Sequence, residues 1–420
     1  MTDEDSFEGG SMKKNRIAIV ILVWVLVGLS CRLGPAMPVS PTQQEQGVTP
    51  AVENVITETI APETQAPPVN YQLPSGVLID TLDKVGITFF NTNGQVITEL
   101  KTPGLQYASP SDVHLAGTVS GQIMTPLVFH VWDPQSRVLI NINDTISLMA
   151  NAPNFYALAG APGQSVMVYS IVNYKPDNSG ITSNLYFGTL EQLTGGGGLV
   201  YSEDNNQSYA DFPMEVNAEN NVPMGFWYSH QAYGIGDVIF APQKGLFYYN
   251  LATNSVAPVL DETKRPLTIS QNHNWVAYNA WQGDKSVYAL NISTNAQAYY
   301  PLLATSENGA GNVTFSPDDN YIAWMEASGS FMMDVPDFHS VVRIAQTDGV
   351  SVRDVIDANF GAVVGVSVNW VQPVEWLDIS TVLVQAEGSN ASDKWVMKLD
   401  VTTGNISLFA AGSYVGLYYP

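Results

Sequence analysis

Across residues 75–420, apolar and polar positions alternate in short runs separated by clusters of Asn, Asp, Thr, Ser, Gly and Pro. A period of two marks half-buried strands, and such clusters mark the turns between them. No amphipathic helical window of comparable strength interrupts the series. Two units recur. The clearest copy of the first is NVTFSPDDNYIAW, from Asn312 to Trp324: an alternating strand, a polar turn, then a second strand. Residues 109–116 (SPSDVHLA) and 270–277 (SQNHNWVA) superpose on it without a gap, and 161–169 (APGQSVMVY) keeps its proline and final aromatic. Fainter versions lie near 218–226 and 377–384.

The second unit is an apolar strand, a turn of Asn, Asp, Thr and Gly, and a return strand. It appears at 87–97, 131–139, 247–256, 288–296, 343–351 and 397–406, with a looser copy at 185–201 turning at Gly195 to Gly198, making seven hairpins. Alternating the two units yields four-stranded antiparallel blades, and repeating blades radially yields a β-propeller. The expected fold is therefore all-β: a seven-bladed propeller, with six or eight blades as alternatives. The chain enters on second, third and fourth strands and ends on an unpaired aromatic strand near Tyr414. The C-terminal strand should therefore supply the innermost strand of the first blade. The SPDDNYIAW copy resembles the repeat of TolB-like, WD40-like (PD40) propellers, whose pattern runs close to F-S-P-D-G-K-x-I-A-F; Asp319 stands where that family has Gly. The resemblance implies the propeller fold over most of 75–420. Family roles range from envelope protein partners to substrate-gating domains of serine peptidases, so no single activity transfers with it.

The only long apolar run, residues 17–30, follows Lys13, Lys14 and Arg16 and ends at Cys31, the single cysteine of the 420-residue chain. Its fourteen uncharged residues fall short of the about 20 needed to span a bilayer and match a secretory signal. Val27-Gly28-Leu29-Ser30-Cys31 resembles the bacterial lipobox, whose cysteine is lipidated; it departs from that pattern in carrying Gly28 and Leu29 where Leu and a small residue are usual. The alternative is an uncleaved signal anchor. Met12, directly before the basic cluster, is a second candidate start. Residues 32–74 are rich in Pro, Thr and Gln, without sustained periodicity, and read as a disordered linker reaching about 35 Å as a coil or about 120 Å as polyproline II. The expected organisation is a signal peptide or anchor (1–31), a linker (32–74) and a propeller (75–420). The expected location is the extracytoplasmic side of a bacterial membrane.

With 16 Lys+Arg against 39 Asp+Glu, the net charge of −23 and the scattered cations exclude nucleic acid as a partner. A lone cysteine allows no internal disulfide, so stability rests on the core. Chemistry is sparse. No G-x-S-x-G elbow occurs, and the five histidines show no metal-ligand spacing, so neither a metal nor a cofactor is expected. The acidic turn pair Asp318–Asp319 lacks a calcium loop and reads as turn capping. Candidate binding residues are His114 and His273, in equivalent turns that could face one funnel, and the aromatic group Tyr228, His230, Tyr233, Trp275 and Trp281. Tyr278 and Trp324 accompany them; such aromatics either form sugar platforms or fill the wedges between blades. The functional expectation is a membrane-anchored, non-catalytic module that binds a protein or glycan partner. The alternative is a propeller glycan hydrolase or lyase with acidic residues converging on the central channel.

Overall fold

The computed structural model describes residues 71, 73–81, 87–100, 132–133, 138–139, 155–161, 164, 166–177, 179–205, 209–232, 243–280, 283–329, 338–350, 352–390 and 392–418. In chain order the first strands are β1 (Gly76–Asp80), β2 (Ile87–Asn91), β3 (Val96–Leu100), β4 (Trp132–Asp133) and β5 (Val138–Leu139). Next come β6 (Phe155–Gly160), β7 (Val166–Tyr174), β8 (Ile181–Thr189), helix α1 (Leu190–Thr194) and β9 (Leu199–Asn205). The following four are β10 (Tyr209–Glu219), β11 (Val222–Ala232), β12 (Gln243–Asn250) and β13 (Ser255–Leu260). After them run β14 (Lys264–Ile269), β15 (Trp275–Ala280), β16 (Val287–Asn291) and β17 (Gln297–Tyr300). Then follow β18 (Gly309–Phe315), β19 (Tyr321–Ser328), β20 (His339–Gln346), β21 (Arg353–Ile356) and helix α2 (Asp357–Val364). The chain closes with β22 (Val368–Trp376), β23 (Thr381–Gly388), β24 (Lys394–Asp400), β25 (Ile406–Ala411) and β26 (Ser413–Tyr418).

Among the described residues these make six four-stranded sheets and one two-stranded hairpin, β4–β5. Five sheets run in plain sequence order; the sixth is ordered β26-β1-β2-β3. The C-terminal strand thus takes the first position of the first sheet, pairing antiparallel with β1 from Gly76↔Tyr418 to Asp80↔Ser413. First strands of successive sheets lie side by side, β6 with β10, β10 with β14, β14 with β18 and β18 with β22, so they form the inner wall of a ring. This is the propeller expected from the alternating pattern. The β4–β5 hairpin falls between the first sheet and the β6–β9 sheet, where the seven-blade count places a unit.

From the β6–β9 sheet round to the first sheet, hydrophobic clusters weld neighbouring sheets together. Phe226, Tyr228 and Tyr249 pack against Val168, Leu185 and Phe187. Trp227, Leu246 and Leu260 meet Val276 and Tyr278. Tyr300 and Ala289 meet Trp324 and Phe315, and Val342 and Ile344 meet Trp376 and Val384. Leu383 and Phe409 meet Val77, Ile79 and Leu417. The large aromatics therefore fill the wedges between blades.

The turns follow from local chemistry. Ser316 N–H bonds to Tyr321 O at 2.8 Å and the Ser316 hydroxyl accepts from Tyr321 N–H at 2.8 Å. Ser270 repeats both bonds with Trp275. Asp319 (φ 61°) and His273 (φ 58°) occupy the same left-handed position, which explains why Gly is usual there. In the outer hairpins the carboxamide of Asn291 and the carboxylate of Asp400 accept from backbone N–H groups two and three residues on. The two short helices were not expected. A Thr189–Gln192 capping box starts α1, while α2 stops at left-handed Gly365 and buries Phe360.

Candidate functional site

Two clusters of titratable groups share the inner strand β10, one at Asp211 and one at Glu215. The first is built on one row of the β10–β13 sheet, where register places Asp211 opposite His230 and His230 opposite Lys244. Glu203, at the end of β9 in the neighbouring sheet, completes it, with Glu262 from the turn between β13 and β14. His230 Nε2 lies 3.6 Å from Asp211 Oδ1 and 3.8 Å from Glu203 Oε2. On its other side, Nδ1 lies 3.2 Å from Glu262 Oε1, and Lys244 Nζ holds Glu262 Oε2 at 2.7 Å. Tyr201 donates its hydroxyl to Glu203 Oε2 at 2.8 Å. Asp211 N–H donates to Ser183 Oγ, stitching the two sheets together beneath the cluster. Phe247 covers the His230 ring, with centroids 4.6 Å apart.

Electrostatics follow from this enclosure. Burial pushes the Asp211 carboxyl up to about 7, and the Glu203 charge adds to the push against His230's opposing effect. Burial disfavours charge on His230, but Glu203, Asp211 and Glu262 outweigh it and its pKa is raised. Glu203 is held below its usual range, chiefly by His230. Lys244 is the main group lowering Glu262.

The second cluster lies on the ring axis. Glu215 on β10 and Glu375 on β22 belong to sheets separated by two others, so their charges meet only across the centre. Glu375 keeps some water contact yet is ringed by protein; that enclosure pushes its carboxyl up to about 7, and the Glu215 charge contributes. Trp376 N–H and the Thr314 hydroxyl oppose the rise. His273 Nε2 lies 3.9 Å from Glu215 Oε1, and its ring lies tilted against Trp227 with centroids 4.4 Å apart.

Of the residues singled out by sequence, His230 and His273 each reach a cluster, one apiece. Tyr228 does not serve as a platform: it is 1% exposed, wedged among Tyr201, Phe226 and Phe247. Trp275 is partly buried against the Tyr300–Trp324 cluster, while Tyr278 and Trp324 are buried. His114, Tyr233, Trp281 and Cys31 lie outside the described residues. Sequence reasoning missed Glu203, Asp211, Lys244, Glu262, Glu215 and Glu375. The available signal was a carboxylate at an inward phase of an alternating strand, as at Asp211 within the Tyr209–Glu219 strand.

No known family model matches the chain, and no curated relative does. Among solved structures, the β-propeller domain of the Trilobed protease from Pyrococcus furiosus aligns at 7% identity and a TM-score of 0.38, over 60% of this chain and 69% of that one. A TolB-like chain from Agrobacterium tumefaciens aligns at 14% identity and a TM-score of 0.32, over 60% and 86%. Prolyl oligopeptidase B from Galerina marginata aligns at 8% identity and a TM-score of 0.40, over 62% of this chain but 34% of that longer one. All three carry a likeness of sheet arrangement alone; the propeller assignment stands on the sheet order, the β26–β1 pairing and the packing between sheets.

Proposed function

We propose that this chain is the extracytoplasmic binding module of a bacterial membrane lipoprotein. In this reading Cys31 carries the lipid, residues 32–74 are the tether, and the propeller presents a rim of loops to a protein or glycan partner. The observation that carries it is the β26–β1 pairing: a ring fastened by its own ends is a stiff mount for rim loops and needs no disulfide. The net charge of −23 adds selection against polyanions. Two measurements test it. Cys31→Ser should move the protein from the membrane to the soluble fraction; retention in the membrane would instead support an uncleaved anchor over residues 17–30. Residues 70–420, presented to a glycan array and to purified envelope proteins, should bind one class saturably and leave it chemically unchanged, whereas turnover would overturn the non-catalytic role.

A second reading, a glycan hydrolase or lyase, is favoured by the axial group of Glu215, Glu375 and His273. It requires a carboxyl still protonated near neutrality beside an ionised one, which is how paired acids divide acid and base roles in glycoside cleavage. That reading expects turnover on the glycan panel and its loss in Glu375→Gln.

A further inference from the structure

We propose that Glu203, Asp211 and His230 form a binding site for one divalent transition-metal ion, with Zn²⁺ the ion that fits best. Their ligand atoms lie within 4.8 Å of one another and come from three consecutive strands, β9, β10 and β11. Two of these groups are left unsatisfied inside the protein. Asp211 is 1% exposed with Oδ2 lacking a hydrogen-bond partner, and His230 is 9% exposed with Nε2 lacking one. Buried polar atoms are almost always paired, so an orphan atom on each of two groups that already stand 3.6 Å apart through Asp211 Oδ1 calls for a ligand shared by them.

The surroundings are those of a prepared metal centre. Histidine ligands commonly donate their second ring N–H to a carboxylate, which fixes the tautomer and aims the other nitrogen's lone pair at the metal. Here Glu262 stands 3.2 Å from Nδ1, and Lys244 pins Glu262. Nε2 is thereby turned toward Asp211 and Glu203. Tyr201 orients Glu203 in the same way. Tetrahedral bonds of about 2.0–2.1 Å place neighbouring ligand atoms about 3.4 Å apart. The separations of 3.6 Å and 3.8 Å around Nε2 need only a small contraction.

Charge points the same way. With His230 neutral, the three carboxylates Glu203, Asp211 and Glu262 face the single ammonium of Lys244 within the cluster, and a divalent ion offsets the excess. One imidazole with two carboxylates selects Zn²⁺ over the oxygen-seeking Ca²⁺ and Mg²⁺. Three protein ligands leave a fourth position for water or a partner's donor group. The rival arrangement is a protonated His230 bridging the two carboxylates with no ion at all.

The test uses the full-length chain in detergent, stripped with a chelator and titrated with ZnCl₂ against a chromophoric competitor. One equivalent should bind in the micromolar range or tighter, and Zn²⁺ should raise the unfolding temperature. His230→Gln and Asp211→Asn should each weaken binding at least ~100-fold, and Glu262→Gln ~10–100-fold through its hold on His230. Metal-free unfolding temperatures of the variants establish that they fold. Should one fail to, Glu203→Gln on the outermost strand of its sheet replaces it, and Co²⁺ loading of the parent should give d–d absorption of a nitrogen- and oxygen-ligated site. The proposal is overturned by absence of saturable uptake, by uptake unchanged in the variants, by Ca²⁺ displacing Zn²⁺, or by an unfolding temperature indifferent to Zn²⁺, which is the result a bare imidazolium bridge gives.

Discussion

Enclosure by the ring raises the Glu375 carboxyl to about 7 from an ordinary 4.5, and the sign of the resulting pH dependence follows from which state holds the proton more tightly. The folded state does, so this group's stabilising contribution is complete below about pH 4.5 and is lost as pH climbs through about 7. A shift of this size corresponds to about 1–3 kcal/mol once the remaining water contact is allowed for. Glu375→Gln keeps an acceptor for Trp376 N–H and the Thr314 hydroxyl but cannot ionise. Urea unfolding at pH 5 and pH 8.5 should show the parent losing about that much more stability than the variant over the interval. Equal losses would mean that Glu375 titrates as an ordinary surface acid.

At the level of strands and sheets, one buried ionic network joins the β18–β21 sheet to its neighbour. Arg343 on β20 bonds Glu326 on β19 at 2.7 Å, Asp354 on β21 at 2.7 Å and the carbonyl of Pro301 beyond β17 at 2.6 Å. Glu326, 1% exposed, also accepts from Trp324 Nε1 and Leu303 N–H. Removing the cation alone strands a buried carboxylate, so Arg343→Met should cost about 3–5 kcal/mol in chemical unfolding. Adding Glu326→Gln, which removes the charge and keeps one of the two acceptor oxygens, should recover part of that loss. A double variant as weak as the single would show that Arg343 acts by packing. Elements of this kind also mark what could be read in advance. The turns at Ser270 and Ser316 and the hairpins at Asn291 and Asp400 were legible because each is closed by atoms a few residues apart. The Glu203–Asp211–His230 group was not, because its members meet through sheet register and blade packing, and no local spacing records either. Tyr228 was misjudged for the same reason: alternation says that it points to a face, but the adjoining sheet decides whether that face is wet.

For the molecule as a whole, stability is distributed over repeated sheet-to-sheet clusters, and the first sheet depends on the last strand. Leu417 on β26 is fully buried against Leu383 and Val396 of the β22–β25 sheet and against Val77 and Ile79 of β1. Removing residues 413–420 should therefore cost at least about 3 kcal/mol, since it uncovers that cluster as well as the β1 edge. Thermal unfolding checks this, and an unchanged midpoint would show that the ring does not need its fastening. Gly412, at φ 131°, makes the passage from β25 into β26 possible, for a Cβ there would collide with the Asp80 carbonyl.

The position of β1 between β26 and β2 also has a mechanical meaning. A pull on the chain upstream of Gly76 runs along β1, which is hydrogen-bonded on both flanks, to β2 and to β26. Two ladders then resist in shear together, and one of them belongs to the far end of the polypeptide. Tension entering at the first strand is thus passed at once to the last, so the place where the ring is joined is also a place where load is shared between two ladders.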